Sequence, residues 1–278
     1  MQRIDDTFSA NDGLKIFTIC WQPAADPIGV ILLVHGIGEH AGRYDHVAEV
    51  LTDAGYIVYA LDHRGHGRSE GLRTYFESFD VLLADLENYY QAIKAKHTGV
   101  PFFMYGHSMG SLISLMFVLM HQSELAGWIS TGSPLMSDSL APKFVVQFAN
   151  MVAGIAPKLQ IIRLAGNNIS RDPVVVERYN NDPLVNRRPL RVGMVTMIFN
   201  NAIAMRKRLN ELTLPILVMH GGDDAIAPAS GSEYLYTHAA SEDKQLKIYD
   251  KYLHEIHNEF GRETVFADML AWLERQNN

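Results

Sequence analysis

The pentapeptide Gly106-His107-Ser108-Met109-Gly110 follows the apolar run PFFMY and precedes SLISLMFVLM. A serine flanked by glycines two positions away, between a strand and a helix, sits on a turn that pushes its hydroxyl out above a sheet. Side chains at 106 and 110 would collide with the adjoining strand and helix, which accounts for glycine at both. A serine hydroxyl is a weak nucleophile at neutral pH; it requires an imidazole base, which requires a carboxylate to orient it. Both follow later in the chain, on loops after apolar runs. PILVM leads into His220-Gly221-Gly222-Asp223-Asp224, and QLKIY leads into Asp250-Lys251-Tyr252-Leu253-His254-Glu255-Ile256-His257. The expected catalytic set is Ser108, Asp224 and His254. Asp224, followed by an apolar turn, is preferred to Asp223, which is expected to bind loop amides. His254 lies in the loop that gives a base its reach, and is preferred to His257 at the start of the last helix. The competing reading is a glycine-bounded turn with an incidental serine.

The segment His35-Gly36-Ile37-Gly38-Glu39-His40 closes the first apolar strand with small residues. Small residues there let backbone amides approach a reacting carbonyl. The amides of Ile37 and Met109 are the expected oxyanion donors, one such donor being worth about 3 kcal/mol in the transition state. The alternative is a glycine-rich loop with no part in chemistry.

These residues need a scaffold that opens three loops on one side. Short apolar runs at 28–34, 56–61, 101–105 and 125–131 read as buried strands, with helix candidates at 44–54, 80–97 and 108–121 between them. Strands alternating with helices imply crossover units and a mostly parallel central sheet flanked by helices. The alternation stops over about 136–209, where no buried strand is evident, and resumes with a strand at 215–219, a helix near 230–240, a strand at 245–249 and a helix over 259–275. The expected organisation is an α/β core of 1–135 and 210–278, with a helical insertion of 136–209 between two sheet strands. An antiparallel hairpin over 5–10 and 14–22, turning at Asn11-Asp12-Gly13, opens the chain.

Composition narrows the function classes. The 278 residues carry 24 Lys plus Arg against 31 Asp plus Glu, a net charge of −7 with no basic run, which argues against a nucleic-acid partner. Cys20 is the single cysteine, so an intramolecular disulfide or a cysteine-rich metal site is excluded. The first dozen residues hold three acids and no apolar stretch, unlike a secretory signal, and no apolar run is long enough to span a bilayer. A soluble, cytoplasmic setting is expected.

Taken together, HGIGEHAGRY at 35–44, ALDHRGHGRSEG at 60–71, GHSMG at 106–110, and the late HGGDD and YLHEIHNE segments resemble the α/β-hydrolase fold. Within it they are similar to the monoacylglycerol lipase family, which is lysophospholipase-like and serine aminopeptidase S33-like. The likeness extends into the insertion through Ser170-Arg171-Asp172 and Tyr179-Asn180-Asn181-Asp182-Pro183-Leu184. It implies ester hydrolysis through an acyl-enzyme on Ser108, most simply of a monoacylglycerol to fatty acid and glycerol, with no metal or organic cofactor. It further implies that 136–209 is a lid covering an apolar tunnel, and that Glu39, Arg43, His107 and Tyr179 surround the glycerol group. Their alternative is a structural Glu39–Arg43 salt link with Tyr179 packed in the cap. Asp62, Arg64 and Ser69 are expected to tie their loop to the catalytic floor.

In the uncharged stretch 144–157, Phe144, Val145, Phe148, Met151, Val152 and Ile155 follow helical spacing. They read either as a helix packed into the cap or as a face for acyl chains and transient membrane or micelle contact. The helix lacks a basic polar face, which disfavours strong anchoring. Close alternatives for the activity are a general carboxylesterase or a lysophospholipase. From another class, a hydrolase-fold ligand-binding protein without turnover remains, against which stand competent side chains at all three catalytic positions.

Overall fold

The computed structural model describes residues 1–162 and 166–277. Its centre is an eight-stranded sheet, ordered β1-β2-β4-β3-β5-β6-β9-β10. The strands are β1 (Gln2–Ser9), β2 (Lys15–Gln22), β3 (Gly29–Val34), β4 (Tyr56–Leu61), β5 (Phe102–His107), β6 (Gly127–Thr131), β9 (Ile216–Gly221) and β10 (Lys244–Tyr249). The opening hairpin pairs antiparallel from Gln2↔Gln22 to Ser9↔Lys15, and β2 also runs antiparallel to β4. All other neighbours in this sheet are parallel.

The central strands are buried on both faces, so their sequences are continuous apolar runs rather than alternations. Period-two geometry then deals successive residues to two cores. Val30, Leu32 and Val34 point to one, with Phe102 and Met104; Ile31 and Leu33 point to the other, with Phe103 and Tyr105. The first core is closed by α2 (Phe79–Lys94) and α3 (Met109–His121), the second by α1 (Asp45–Asp53) and α8 (Arg262–Asn277). In α2 the buried positions Phe79, Leu82, Leu86, Tyr90 and Ile93 recur every three or four residues and form one stripe. Each fully buried aliphatic or aromatic side chain contributes roughly 1.5–3 kcal/mol of transfer free energy.

Between β6 and β9 lie α4 (Lys143–Ile155), β7 (Gln160–Ile162), α5 (Pro173–Asn181), β8 (Leu190–Arg191) and α6 (Val192–Arg206). The stretch, in which no buried strand is evident from sequence, contains the short antiparallel pair β7–β8, whose Gln160 and Ile161 are exposed. With only a few residues in each strand, it lacks the long apolar run by which a buried strand announces itself. Met194, Ile198, Ala202 and Met205 of α6 join the first sheet core, whereas α4 buries no residue fully. Asp172 caps α5 by accepting from the Val174 amide at 2.8 Å, with Pro173 at the first helical position.

Candidate active site

Parallel pairing brings the carboxyl ends of β5, β6, β9 and β10 to one rim, with His107↔Thr131, Thr131↔Met219 and Tyr249↔Gly221 in register. Ser108 follows β5 directly, with φ 54° and ψ −123°, a left-handed backbone that an L-residue adopts only under constraint. The constraint comes from close packing. A Cβ on Gly106 would run into Ser114 Oγ and the Gly110 carbonyl, and one on Gly110 into the Val34 carbonyl. The Ser108 amide donates to the Thr131 carbonyl at 2.9 Å, which pins the turn to β6.

The loops after β9 and β10 deliver the partners. His254 Nε2 lies 2.9 Å from Ser108 Oγ, and His254 Nδ1 lies 2.6 Å from Asp224 Oδ2. The other carboxylate oxygen, Oδ1, accepts from the amides of Ile226 at 2.8 Å and Ala227 at 2.9 Å. The loop amides are therefore held by Asp224 rather than Asp223, whose side chain is exposed; one carboxylate meets both the ring and the turn. Burial would raise the Asp224 carboxyl, but the His254 charge and hydrogen bonds from His220 and His254 hold it far below the usual carboxylate range. Burial would lower His254, and the Asp224 carboxylate outweighs it, so the imidazole titrates above its ordinary 6.5. A hydroxyl, an imidazole and an ionised carboxylate thus stand in proton-transfer range.

Ile37 and Met109 line one cavity with Ser108. Met109 opens α3, where the first helical amides have no acceptor within the helix and are free to face an oxyanion. His257 is elsewhere: it lies in a short turn, buried, stacked on Tyr44 at 4.9 Å and edge-on to His107 at 5.1 Å.

On one side of Ser108 a small recess of about 30 Å³ is lined by Glu39, His107, Tyr179 and Glu255 together with Ile37, Ile169 and Ile226. Behind it Arg43 donates to Glu39 at 2.7 Å and to both oxygens of Glu255 at 2.6 Å, with the Tyr179 ring 4.7 Å from its guanidinium carbon. Glu39 also accepts from the Gly36 amide at 2.7 Å and the Tyr44 hydroxyl at 2.8 Å. Burial would raise Glu255, yet Arg43 holds it down at about 2; burial raises Glu39 against the same guanidinium. Burial, with His254 adding to it, lowers His107 to about 3, and its Nδ1 lies 3.0 Å from Thr131 Oγ1. The four sequence-derived residues Glu39, Arg43, His107 and Tyr179 are thus neighbours, and Arg43 stands behind the lining rather than in it. Glu255, Tyr44 and His220 were missed. The only signal for Glu255 was its place beside His254, next to a Glu39–Arg43 pair that leaves guanidinium donors to spare.

On the other side is an apolar cavity of about 420 Å³, lined by Val145, Val146, Ala149, Ile198, Phe199 and Ile226, among others. Asp62 accepts from the amides of Ala41 and Arg68 at 2.8 Å, Ser69 donates to the Asp62 carbonyl at 2.6 Å, and Arg64 pairs with Asp85 and Asp12. All three lie outside the linings of both cavities. Among the described residues no group of three or more His, Cys, Asp or Glu is placed to hold a metal ion.

The model of the family described as serine aminopeptidase, S33 matches residues 25–261. The chain belongs to the serine aminopeptidase S33 family. Among its relatives, a monoacylglycerol lipase of Mycolicibacterium smegmatis is 35% identical over 98% of this chain and 97% of its own. A monoglyceride lipase of Homo sapiens is 32% identical over 95% of this chain and 88% of its own. A soluble variant of the Saccharomyces cerevisiae monoglyceride lipase, solved with a substrate analog, superposes with a TM-score of 0.85 at 26% identity, covering 100% of this chain and 96% of that one. The fold is the α/β-hydrolase fold, and the residues matched by the family run from β3 to β10 and include the excursion between β6 and β9.

Proposed function

We propose that this S33-family chain hydrolyses monoacylglycerols, with Ser108 as nucleophile, His254 as general base and acid, and Asp224 as orienting carboxylate. The observation that carries the reading is the Ser108–His254–Asp224 chain of 2.9 and 2.6 Å contacts, set between a small recess edged by Glu39, His107, Tyr179 and Glu255 and a larger apolar cavity. The chain is a carboxylic ester hydrolase. His254 takes the Ser108 proton as Oγ attacks the ester carbonyl, and the amides of Ile37 and Met109 receive the oxyanion. His254 returns that proton to the leaving alcohol, then activates water to release the acid. The acyl chain occupies the apolar cavity, whose volume is that of ordinary ligand sites, and glycerol faces Glu39, His107 and Tyr179, with Arg43 holding Glu39.

In this reading 136–209 is the lid over a core of 1–135 and 210–278. Phe144, Phe148, Met151 and Ile155 on α4 are 71%, 61%, 57% and 83% exposed, an apolar face suited to transient contact with a membrane or micelle. No described helix is long and apolar enough to cross a membrane. A cytoplasmic setting with peripheral lipid contact completes the proposal.

The test is the rate against monoacylglycerols from short to long, beside alkyl esters, lysophospholipids, diacylglycerols and triacylglycerols. Monoacylglycerols are expected to lead. Equal rates on alkyl esters of the same acyl length would make the chain a general carboxylesterase. Ser108→Ala is expected to abolish turnover with an unchanged melting temperature; retained turnover would remove Ser108 from its role.

A further inference from the structure

Asp224 meets two imidazoles, and the reaction above uses one. Its Oδ2 lies 2.6 Å from His254 Nδ1 and 3.0 Å from Nε2 of His220, near the end of β9. The same Nε2 is 2.8 Å from the Ala227 carbonyl oxygen, while Nδ1 of His220 is 2.6 Å from Ser232 Oγ in the first turn of α7 (Ser230–His238). Two acceptors face Nε2, so the network assigns the proton there, and Nδ1 accepts from the Ser232 hydroxyl. In that tautomer the ring ties β9, the Asp224 loop and α7 together.

We propose that His220 is a positioning residue for the reaction: its Nε2–H fixes Asp224 Oδ2 in the plane where it meets His254, and Ser232 fixes the His220 ring. This rests on the catalytic reading of Ser108, His254 and Asp224. The two loop amides hold only Oδ1, which leaves the carboxylate a rotation about that anchor; His220 removes it. The side chains of His220 and Asp224 are both fully buried, so bulk water does not replace the lost donor. A histidine serving only the core would be satisfied by Ala227 and Ser232; the third contact, to the acid itself, gives this one its role.

The experiment compares His220→Ala, His220→Gln and Ser232→Ala with the unaltered protein, using a soluble monoacylglycerol. His220→Ala is expected to lower kcat about 10- to 100-fold with KM nearly unchanged, the size seen for outer partners that orient functional imidazoles and carboxylates. His220→Gln keeps an N–H donor at similar reach and is expected to recover most of that loss. Ser232→Ala should fall between them.

The pH profile separates positioning from packing. His254 is faced by Asp224, Glu255, Glu39 and His107, and Asp224 by His254 and His220. Losing a donor concentrates charge on Asp224, which favours the protonated imidazole, so the acid limb of kcat/KM moves to higher pH in His220→Ala. The low-field proton resonance of the short His254–Asp224 bond should shift in the same variant. An unmoved profile and resonance, with any kcat loss tracking the melting temperature, would overturn the proposal. If His220→Ala does not fold, an unmoved resonance in Ser232→Ala overturns it. Activity remaining in Ser108→Ala or His254→Ala would instead bring down the catalytic reading beneath it.

Discussion

The two chambers that meet at Ser108 are built by opposite means. The small recess is backed by a charged cluster: Arg43, Glu39 and Glu255 come from segments after β3 and β10, and each is paired through several hydrogen bonds. The apolar cavity is walled in part by α4 and α6 of the excursion and otherwise by loops, and α4 also turns a bare apolar face outward. One wall is rigid because breaking any of its bonds strands a buried charge; the other is shaped by packing alone. In the proposed function, an ester lying across Ser108 is thereby given a direction, alcohol to the charges and acyl chain to the cavity.

The largest expected effect lies at the junction of the chambers. His254→Ala is expected to lower kcat about 10⁴- to 10⁶-fold, against about 10-fold or less for His257→Ala, measured on one soluble ester. The reverse ranking would assign the base to His257 and dissolve the junction as drawn.

Next comes the polar wall. Arg43→Met leaves Glu39 and Glu255 facing each other in the core and is expected to cost about 3–5 kcal/mol in a denaturant titration. Replacing all three by apolar residues is expected to restore stability, because complete removal spares the desolvation of the unpaired ions. Preference for glycerol esters over alkyl esters should still be lost in that triple variant. Its retention would show that the charges serve folding and not the alcohol.

The apolar wall breaks differently. Ala149→Phe fills the cavity from a half-buried position of α4 and is expected to cut turnover of long-chain monoacylglycerols about 10- to 100-fold, short esters being spared. Equal losses at all chain lengths would place the acyl group elsewhere.

The smallest effect is a shift in pH. His254 acts as a base only when neutral, and it titrates above 6.5 because Asp224 outweighs burial. Activity therefore falls as pH drops through a midpoint higher than 6.5, read from kcat/KM against pH. A midpoint below that value would mean that burial, and not the carboxylate, dominates at the junction.

Legibility differed between these regions for physical reasons. Steric exclusion is local, so glycine at 106 and 110 around Ser108 was enough to announce the strained turn. Strand pairing in a parallel sheet puts successive loops on one side, so Asp224 and His254 could be placed from the order of apolar runs. Asp223 and Asp224 differ by one residue, and the expected imidazole and amide contacts were divided between them, where the fold puts both on Asp224. Glu255 was passed over because its partner, Arg43, is 212 positions away, and spacing carries no trace of such a contact.

By itself, then, the chain determined what close-range sterics and periodicity can express: a parallel sheet, a cramped serine, an interrupted alternation and an uncharged apolar stretch at helical spacing. Tertiary structure decided which side of that helix lines a cavity and which stays bare, because the outcome depends on α6 packing beside it. It also decided that Arg43 joins Glu39 to Glu255, and that His220 reaches the acid serving His254. Charges and hydrogen bonds act over a few ångströms of space, and only folding sets which residues lie that close.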